Sequence, residues 1–443
     1  YDRIRKGIRT GLTMCFGIAI CMIILINLFA ESFVSMFIQS PDVVKFGTLF
    51  IHIEMPFYLA LCVNSVYDST LRGIGMTKGP MLIMMINSIL FRQIYLFVVS
   101  RVSESMIPIV LGYPLGWILC SVMLVLLILL GLCSVLSLAV GSAGYSIQEI
   151  LKALFSQEDS PVKTIVLNLR LPRIILAILI GSSLSAAGAL LQSVMRNPLA
   201  DPGTIGVSAG AGTAATTILL IFPQLSASVP LFAFGGAALA CVLIYTMAWK
   251  GGVDPTRIIL SGVAINSVLG AYNSLLQLMN SDSLEGVLAF MNGSLSGRGW
   301  HQVQIAACYA SVGLVMAFLC IKSANALQLG EEMAKSLGVK VSLNRVLLSA
   351  VAAFLAAATV SVAGMIGFVG LVVPHIARLL VGSDYKVMMP VSVVLGAVVL
   401  LAADTVGRTV VPGMEIPVGI VMAVCGGPFF LYLLRKKGKV SGN

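Results

Sequence analysis

Charged residues are scarce in this sequence: Asp, Glu, Lys and Arg make up 10% of its 443 residues, whereas hydrophobic residues make up 58%. Soluble globular proteins usually carry about a quarter charged residues. The scarcity therefore excludes a soluble globular protein and indicates a polytopic membrane protein. Because open sheet edges are not tolerated in lipid, we predict an all-α fold.

The sequence also lacks the motifs of a catalytic or cofactor-binding site. No GxxxxGK[ST] phosphate-binding loop occurs, so this chain is not expected to bind ATP. The cysteines lie in apolar segments without a CxxC pair, and His375 has no companions that would complete a metal site. The GxSxG match at 206–210 begins a small-residue membrane segment and not a strand-turn-helix. We therefore expect a protein that is not an enzyme and holds no metal or cofactor itself.

The excess of basic residues, 28 Lys and Arg against 18 Asp and Glu, is explained by membrane topology. These residues lie between apolar runs and not in one patch, so we expect contact with membrane lipid and no nucleic acid partner. About thirteen apolar runs are long enough for helical spans. If the basic C-terminus lies inside, alternation places four arginines outside, against the positive-inside trend: Arg170, Arg173, Arg298 and Arg408.

The apolar run from Ile174 to Met195 is rich in small residues. Small side chains let helix backbones approach closely in lipid, so we predict a span that lies among other helices. Near the outer end of another span stands Asp404, an ionisable group that needs a partner there. Arg408, one turn later, is the partner we expect.

Five segments resemble the permease subunits of ABC importers for iron-siderophores, haem and cobalamin. They are RLPR (170–173), QSVMRNPLADPGTIGVSAGAG (192–212), LGEEMAKSLGV (329–339), GMIGFVGLVVPHIARLLVG (364–382) and EIPVGIVMAVCGGPFFLYLL (415–434). The resemblance implies a FecCD-like permease domain of ten spans over 121–443. It implies import of an iron-siderophore or similar metal chelate across the plasma membrane of a prokaryote.

The same resemblance implies three partners. A cytoplasmic ABC ATPase dimer would bind ATP and magnesium, an extracytoplasmic substrate-binding protein would deliver the cargo, and a second, identical or related permease subunit would complete the path. Arg170, Arg173 and Arg408 match the family's outward arginines that pair with acidic residues of the binding protein. An arginine fork suits bidentate carboxylates. The alternative is that these arginines extend to lipid headgroups.

The resemblance also implies an ATPase-coupling helix in the longest inside loop. The residues concerned are Glu331, Glu332, Met333, Ala334, Lys335, Ser336, Leu337 and Gly338. Their pattern predicts a short amphipathic helix that ends at Gly338, since glycine favours a helix C-cap. The alternative is a solvated connector without a coupling role.

Four residues of one span are candidates for the translocation path: Asn266, Gly270, Asn273 and Gln277. Their spacings of four, three and four place them on one helix face. The family resemblance assigns this span to the pore. Polar residues within a span also serve as hydrogen bonds between helices, and this alternative stays open.

Residues 1–120 resemble a different family. LRGIGMTKGPM (71–81) and YPLGW (113–117) are similar to the C-terminal end of multidrug and toxic compound extrusion (MATE) antiporters. This implies three to four extra transmembrane helices ahead of the permease domain. Because such antiporters need two complete lobes, the fragment is interpreted as an accessory or a fused remnant. The alternative functions are cation-coupled multidrug efflux by this part and a membrane scaffold without transport.

The junction between the two parts, 106–140, is one nearly continuous apolar run. Two spans need about 40 residues and a turn. The run therefore forms either a tight hairpin of two short helices or one long helix.

Overall fold

The computed structural model describes residues 2–73, 75, 77–85, 93, 112–140, 149, 160–249, 254–411 and 413–438. Their regular structure is helical, as predicted. Nine of the described helices are long and apolar enough to cross a membrane, and three more are shorter apolar helices. Seven of the long helices and all three shorter ones lie from Gly116 onward. These make up the ten-helix permease fold that the sequence predicts.

The chain forms two compact units, Tyr1–Leu129 and Leu130–Asn443. The described helices of the first unit are α1 (Asp2–Leu28), α2 (Ala30–Phe37), α3 (Pro41–Glu54), α4 (Tyr58–Gly73) and α5 (Lys78–Met85). Helix α6 (Gly112–Ala139) follows, and the boundary between the units falls within it. The described part of the junction is therefore one helix and not a hairpin, whereas 106–111 lies outside the described residues. The predicted span at 79–100 also lies largely outside them.

The first unit has a small buried core around Leu71, Cys120 and Leu124. Beside it, the Asn64 side chain donates to the carbonyl of Trp117 at 3.1 Å and accepts from the Ser121 hydroxyl at 2.8 Å. Most apolar side chains of α1 are exposed, which suits a helix surrounded by lipid.

The second unit continues with α7 (Pro161–Ile165), a π turn (Val166–Arg170) and α8 (Leu171–Met195). The remaining helices are α9 (Val207–Ile221), α10 (Val229–Ala248), α11 (Pro255–Met279), α12 (Glu285–Met291), α13 (Trp300–Leu319), α14 (Ile321–Gln328), α15 (Glu331–Ser336), α16 (Val341–Ala363), α17 (Val369–Val381), α18 (Tyr385–Gly407) and α19 (Val418–Gly438).

Helix α8 is the centre of this unit and packs against α13, α16, α17 and α18. Its small residues permit this, as predicted. A Cβ on Gly181 would lie 2.2 Å from the carbonyl oxygen of Gly396, and one on Gly188 would lie 1.9 Å from that of Gly370. The Ser185 hydroxyl also donates to the Ser392 carbonyl of α18 at 2.8 Å. Helix contacts this close exclude any larger side chain at either glycine.

Helix α17 contains Pro374, which has no N–H and so cannot bond the Gly370 carbonyl one turn earlier. Gln192 of α8 compensates, since its side-chain amide donates to the Gly370 and Leu371 carbonyls at 3.2 and 3.3 Å. Arg378 in turn donates to the Gln192 side-chain oxygen at 2.9 Å. A buried glutamine therefore stabilises the proline-interrupted helix.

Two non-helical segments, 292–299 and 364–368, are joined to the ends of neighbouring helices by backbone hydrogen bonds. Ser294 N–H donates to the Ala363 carbonyl at 2.8 Å, and Met365 N–H donates to the Phe290 carbonyl at 2.9 Å. Gly419 N–H donates to the Gly293 carbonyl at 3.1 Å. Irregular backbone survives in a membrane protein only where its polar groups are satisfied, and these bonds satisfy them.

Candidate docking, coupling and path sites

Arg173, at the N-terminal end of α8, is the centre of a charge cluster. Its guanidinium donates to both carboxylate oxygens of Asp404 at 2.9 to 3.1 Å and to Glu415 at 2.8 Å. Asp404 is 2% exposed, so its charge is compensated inside the protein. A bidentate arginine fixes both position and orientation. The contact joins α8 to α18 and to the loop 408–417.

Arg408 and Arg170 complete the cluster. The Nε atom of Arg408 lies 3.3 Å from Asp404, so the pairing expected one turn apart is present, although Arg173 makes the shorter contacts. Arg408 also donates to the Ser137 hydroxyl, and Arg170 donates to the carbonyl of Leu138 in α6. The structure thus brings together the three arginines that were predicted from the sequence as docking residues. Each of them already has partners within the chain.

Glu415 is a member of the cluster that sequence reasoning missed. Partial burial raises the pKa of Glu415, but the hydrogen bond and the positive charge of Arg173 outweigh it, so the pKa lies below its ordinary value. Glu415 is therefore ionised at neutral pH. Three arginines and two carboxylates leave the cluster with a net positive charge, and Glu415 is its more exposed acid: 42% of its side chain is accessible, against 1% for Asp404.

The predicted coupling segment is helical from Glu331 to Ser336 and ends as expected. Gly338 has φ +77° and its N–H donates to the Lys335 carbonyl at 2.9 Å. Met333 and Leu337 are more than half exposed, whereas Ala334 is buried against the protein. The helix therefore presents an accessible surface with two large apolar side chains, which is typical of a site that binds another protein.

An ion-pair network attaches α15 to the permease core. Glu331 contacts Lys335 at 2.9 Å and Arg345, near the start of α16, at 3.3 Å. The hydrogen bond from Lys335 and the charge of Arg345 lower the pKa of Glu331. Arg345, whose side chain is 9% exposed, was not predicted as a site residue from the sequence. Its position at the start of an apolar run was the available signal.

The four path candidates do not share one environment. Asn273 is 5% exposed and donates to the Thr213 hydroxyl of α9 at 3.2 Å, and Asn266 donates to the Gly203 carbonyl at 3.3 Å. Gly270 is exposed and Gln277 is half-buried. In this conformation the two asparagines make contacts between segments of the chain. The buried side-chain oxygen of each has no hydrogen-bond partner in the part of the chain that the structure describes. The path role stays a prediction.

Comparison with protein families gives two separate matches. The model of the FecCD transport family matches residues 126–436, and the MatE model matches residues 1–98. The two matches do not overlap and correspond to the two resemblances found in the sequence.

Individual relatives agree with the longer match. The chain is 41% identical over 313 residues to the Fe(3+)-citrate import system permease protein YfmE of Bacillus subtilis (strain 168), covering 70% of this chain and 94% of the relative. It is 44% identical over 276 residues to the cobalamin import system permease protein BtuC of Halobacterium salinarum, covering 62% and 74%. A solved metal-chelate type ABC transporter in an inward-facing conformation is 30% identical, with a TM-score of 0.61, covering 70% and 97%.

Proposed function

Because the chain belongs to the FecCD transport family, we propose that it is the transmembrane permease subunit of an ABC importer. It moves an iron-siderophore or a similar metal chelate inward across the plasma membrane. The observation that carries this proposal is the exposed helix α15, attached to the core through Glu331 and Arg345. Such a helix transmits movement of a cytoplasmic partner to the spans.

The energy comes from a separate ABC ATPase dimer, which holds ATP and magnesium. Met333 and Leu337 supply the apolar contact with it, and the Glu331–Arg345 ion pair keeps α15 fixed to α16 when the ATPase moves. Rigid-body displacement of α15 therefore displaces α16 and the helices packed on it.

The extracytoplasmic binding protein docks on the outer charge cluster. Since Arg173 is already paired with Asp404 and Glu415, docking proceeds by exchange: a carboxylate of the binding protein replaces Glu415, while buried Asp404 keeps its contacts. This exchange conserves the number of ion pairs. Its contribution is mainly to orientation and association rate, which is typical of charges at an interface rim.

A second permease subunit completes the path along α11. One side of this helix carries large apolar side chains that are more than half exposed: Val263, Val268, Leu275 and Leu278. We propose that this side faces the second subunit across the path and that the Asn266–Gln277 face moves into the path as the helix shifts.

Transport in proteoliposomes tests the proposal. The chain is reconstituted with its ATPase and loaded binding protein, and uptake of labelled ferric citrate, ferric hydroxamate, haem and cobalamin is measured with and without ATP. We expect ATP-dependent accumulation of an iron chelate, abolished by an ATPase that cannot hydrolyse ATP. Absence of ATP-dependent uptake of every cargo contradicts the proposal.

The MatE match to residues 1–98 favours one further candidate, cation-coupled efflux of organic cations. A proton or sodium gradient without ATP would drive it. The small buried core of the described N-terminal helices argues for an accessory role. Efflux that survives removal of residues 130–438 would establish this second candidate function.

A further inference from the structure

Arg298 differs from the other three arginines predicted to lie outside because it has no partner among the residues that the structure describes. It lies in the outer loop 292–299, between α12 and α13. Arg170, Arg173 and Arg408 each donate hydrogen bonds to the chain. Among the described residues, none forms an ion pair or hydrogen bond with Arg298, and its Nε atom is buried without a partner.

The loop that carries Arg298 is held in place on both sides. On the N-terminal side of Arg298, the Ser294 N–H donates to the Ala363 carbonyl at 2.8 Å. After it, the Trp300 indole N–H donates to the Leu167 carbonyl at 2.9 Å. Gly297, with φ +69°, provides the turn between these anchors. The position of Arg298 is therefore set by the fold before any partner arrives, which reduces the entropy lost on binding.

The same anchors place the loop beside the outer charge cluster. Ser296, two residues before Arg298, hydrogen-bonds to Glu415. Leu167, the acceptor for Trp300, precedes Arg170 by less than one helical turn. Loop 292–299 thus contacts Glu415, and Trp300, the first residue of α13, contacts the segment that carries Arg170. A protein that docks on the cluster would also cover this loop.

The side chain of Arg298 is half-buried, yet only its Nε is enclosed without a partner. The two terminal nitrogens are therefore accessible to a ligand. Burial lowers the pKa of Arg298, but an arginine remains cationic at neutral pH. A partly desolvated cation without a counter-charge is unfavourable, and a bidentate carboxylate relieves it.

We propose that Arg298 is a docking cation that binds an aspartate or glutamate side chain of the extracytoplasmic substrate-binding protein. The proposal rests on the proposed function. It differs from the role of Arg173 in one respect: Arg298 has no ion pair with another described residue to exchange, so a carboxylate that binds it forms a new contact.

The test is binding of the loaded binding protein to the permease–ATPase complex in lipid nanodiscs, measured at low and moderate salt. Arg298→Gln should weaken binding about tenfold at low salt, as expected for loss of a close charge pair. Arg298→Glu should weaken it further, and both should make binding less sensitive to salt. Arg298→Lys should restore part of the affinity. Arg257→Gln is the matched control, because it removes an exposed arginine from the inner side.

The outcomes separate this proposal from the proposed function. Thermal unfolding of the complex should be unchanged in Arg298→Gln, which shows that the variant is folded. If wild-type and variant complexes bind equally at low salt, Arg298 is not a docking residue although the importer stands. If affinity is equal but uptake of an anionic chelate falls and that of a neutral one does not, the cation serves the cargo, and the proposal is wrong. If the wild type neither binds nor transports, the proposed function fails as well.

Discussion

Replacing Gln192 by methionine should leave the Gly370 carbonyl without a hydrogen-bond donor inside the protein. Pro374 cannot supply the usual helical N–H, and the Gln192 amide is the donor that takes its place. Methionine has a similar length and fills the same space, so cavity formation contributes little. The change therefore isolates the hydrogen bonds made by one buried amide.

The magnitude follows from two losses. An unsatisfied buried carbonyl costs about 1–3 kcal/mol, and a hydrogen bond from a charged group is worth about 1.5–3 kcal/mol. Arg378 is half-buried, so its guanidinium can hydrogen-bond to water instead of Gln192, which offsets part of the second loss. We expect the free energy of unfolding to fall by about 3 kcal/mol.

The assay is equilibrium unfolding in mixed micelles of the wild type, Gln192→Met, Pro374→Ala and the double variant. In Pro374→Ala the new N–H can bond the Gly370 carbonyl. Gln192→Met should therefore lower the free energy of unfolding by about 1–3 kcal/mol less in that background than in the wild type. Gln277→Met is the control: a half-buried glutamine whose loss should change stability by about 0.5 kcal/mol or less. Equal costs of Gln192→Met in both backgrounds would refute the account of Pro374.

Three further predictions concern the charged groups. Asp404→Ala should lower the free energy of unfolding by about 3–5 kcal/mol, since it removes the buried carboxylate next to Arg408 and leaves Arg173 with Glu415 alone. Glu415→Ala should lower it by about 1 kcal/mol or less, and thermal unfolding of both variants distinguishes them. The pKa of Glu331 is lowered in the folded protein, so the ion pairs of Glu331 stabilise α15 at pH values above the unfolded pKa of about 4.3. This stabilisation is lost as pH falls through the lower folded pKa. Hydrogen exchange of α15 should therefore rise in that pH range in the wild type and show no such step in Glu331→Gln. Deletion of 331–337 should leave the protein in the membrane without its ATPase, and normal co-purification of the ATPase would contradict the coupling role.

The fold could be predicted from the sequence because lipid imposes simple rules. An uncharged run such as Ile174 to Met195 has to be a helix, and its small residues have to meet other helices closely. Helix α15 could be predicted equally well, since Gly338 marks its end. Both features depend on residues that are near each other in the sequence, so their spacing carries the information.

The charge cluster could be predicted only in part. Asp404 and Arg408 are one turn apart, and their pairing was expected. Arg173 is more than two hundred residues from Asp404, and nothing in either segment indicates that α8 and α18 lie side by side. The same limit applies to Gln192 and Pro374. Helix packing, which brings such residues together, is decided by side-chain shapes along several helices at once.

The polar face of α11 shows a different limit. Spacing correctly placed Asn266 and Asn273 on one side of the helix, but spacing does not say what that side meets. In the structure it meets Gly203 and Thr213. A polar stripe in a span has the same appearance whether it contacts water, cargo or a neighbouring helix.

The π turn from Val166 to Arg170 contains one residue more than an α-helical turn would need. Each residue advances an α-helix by about 100°. Within α8, loss of one residue would therefore rotate one part of the helix against the other by about 100° and separate the close contacts of Gly181 and Gly188. At the π turn the same loss converts the wide turn into an ordinary α turn, so α7 and α8 nearly keep their relative rotation about the axis. A one-residue deletion is thus tolerated best at this turn, which already holds a residue in excess.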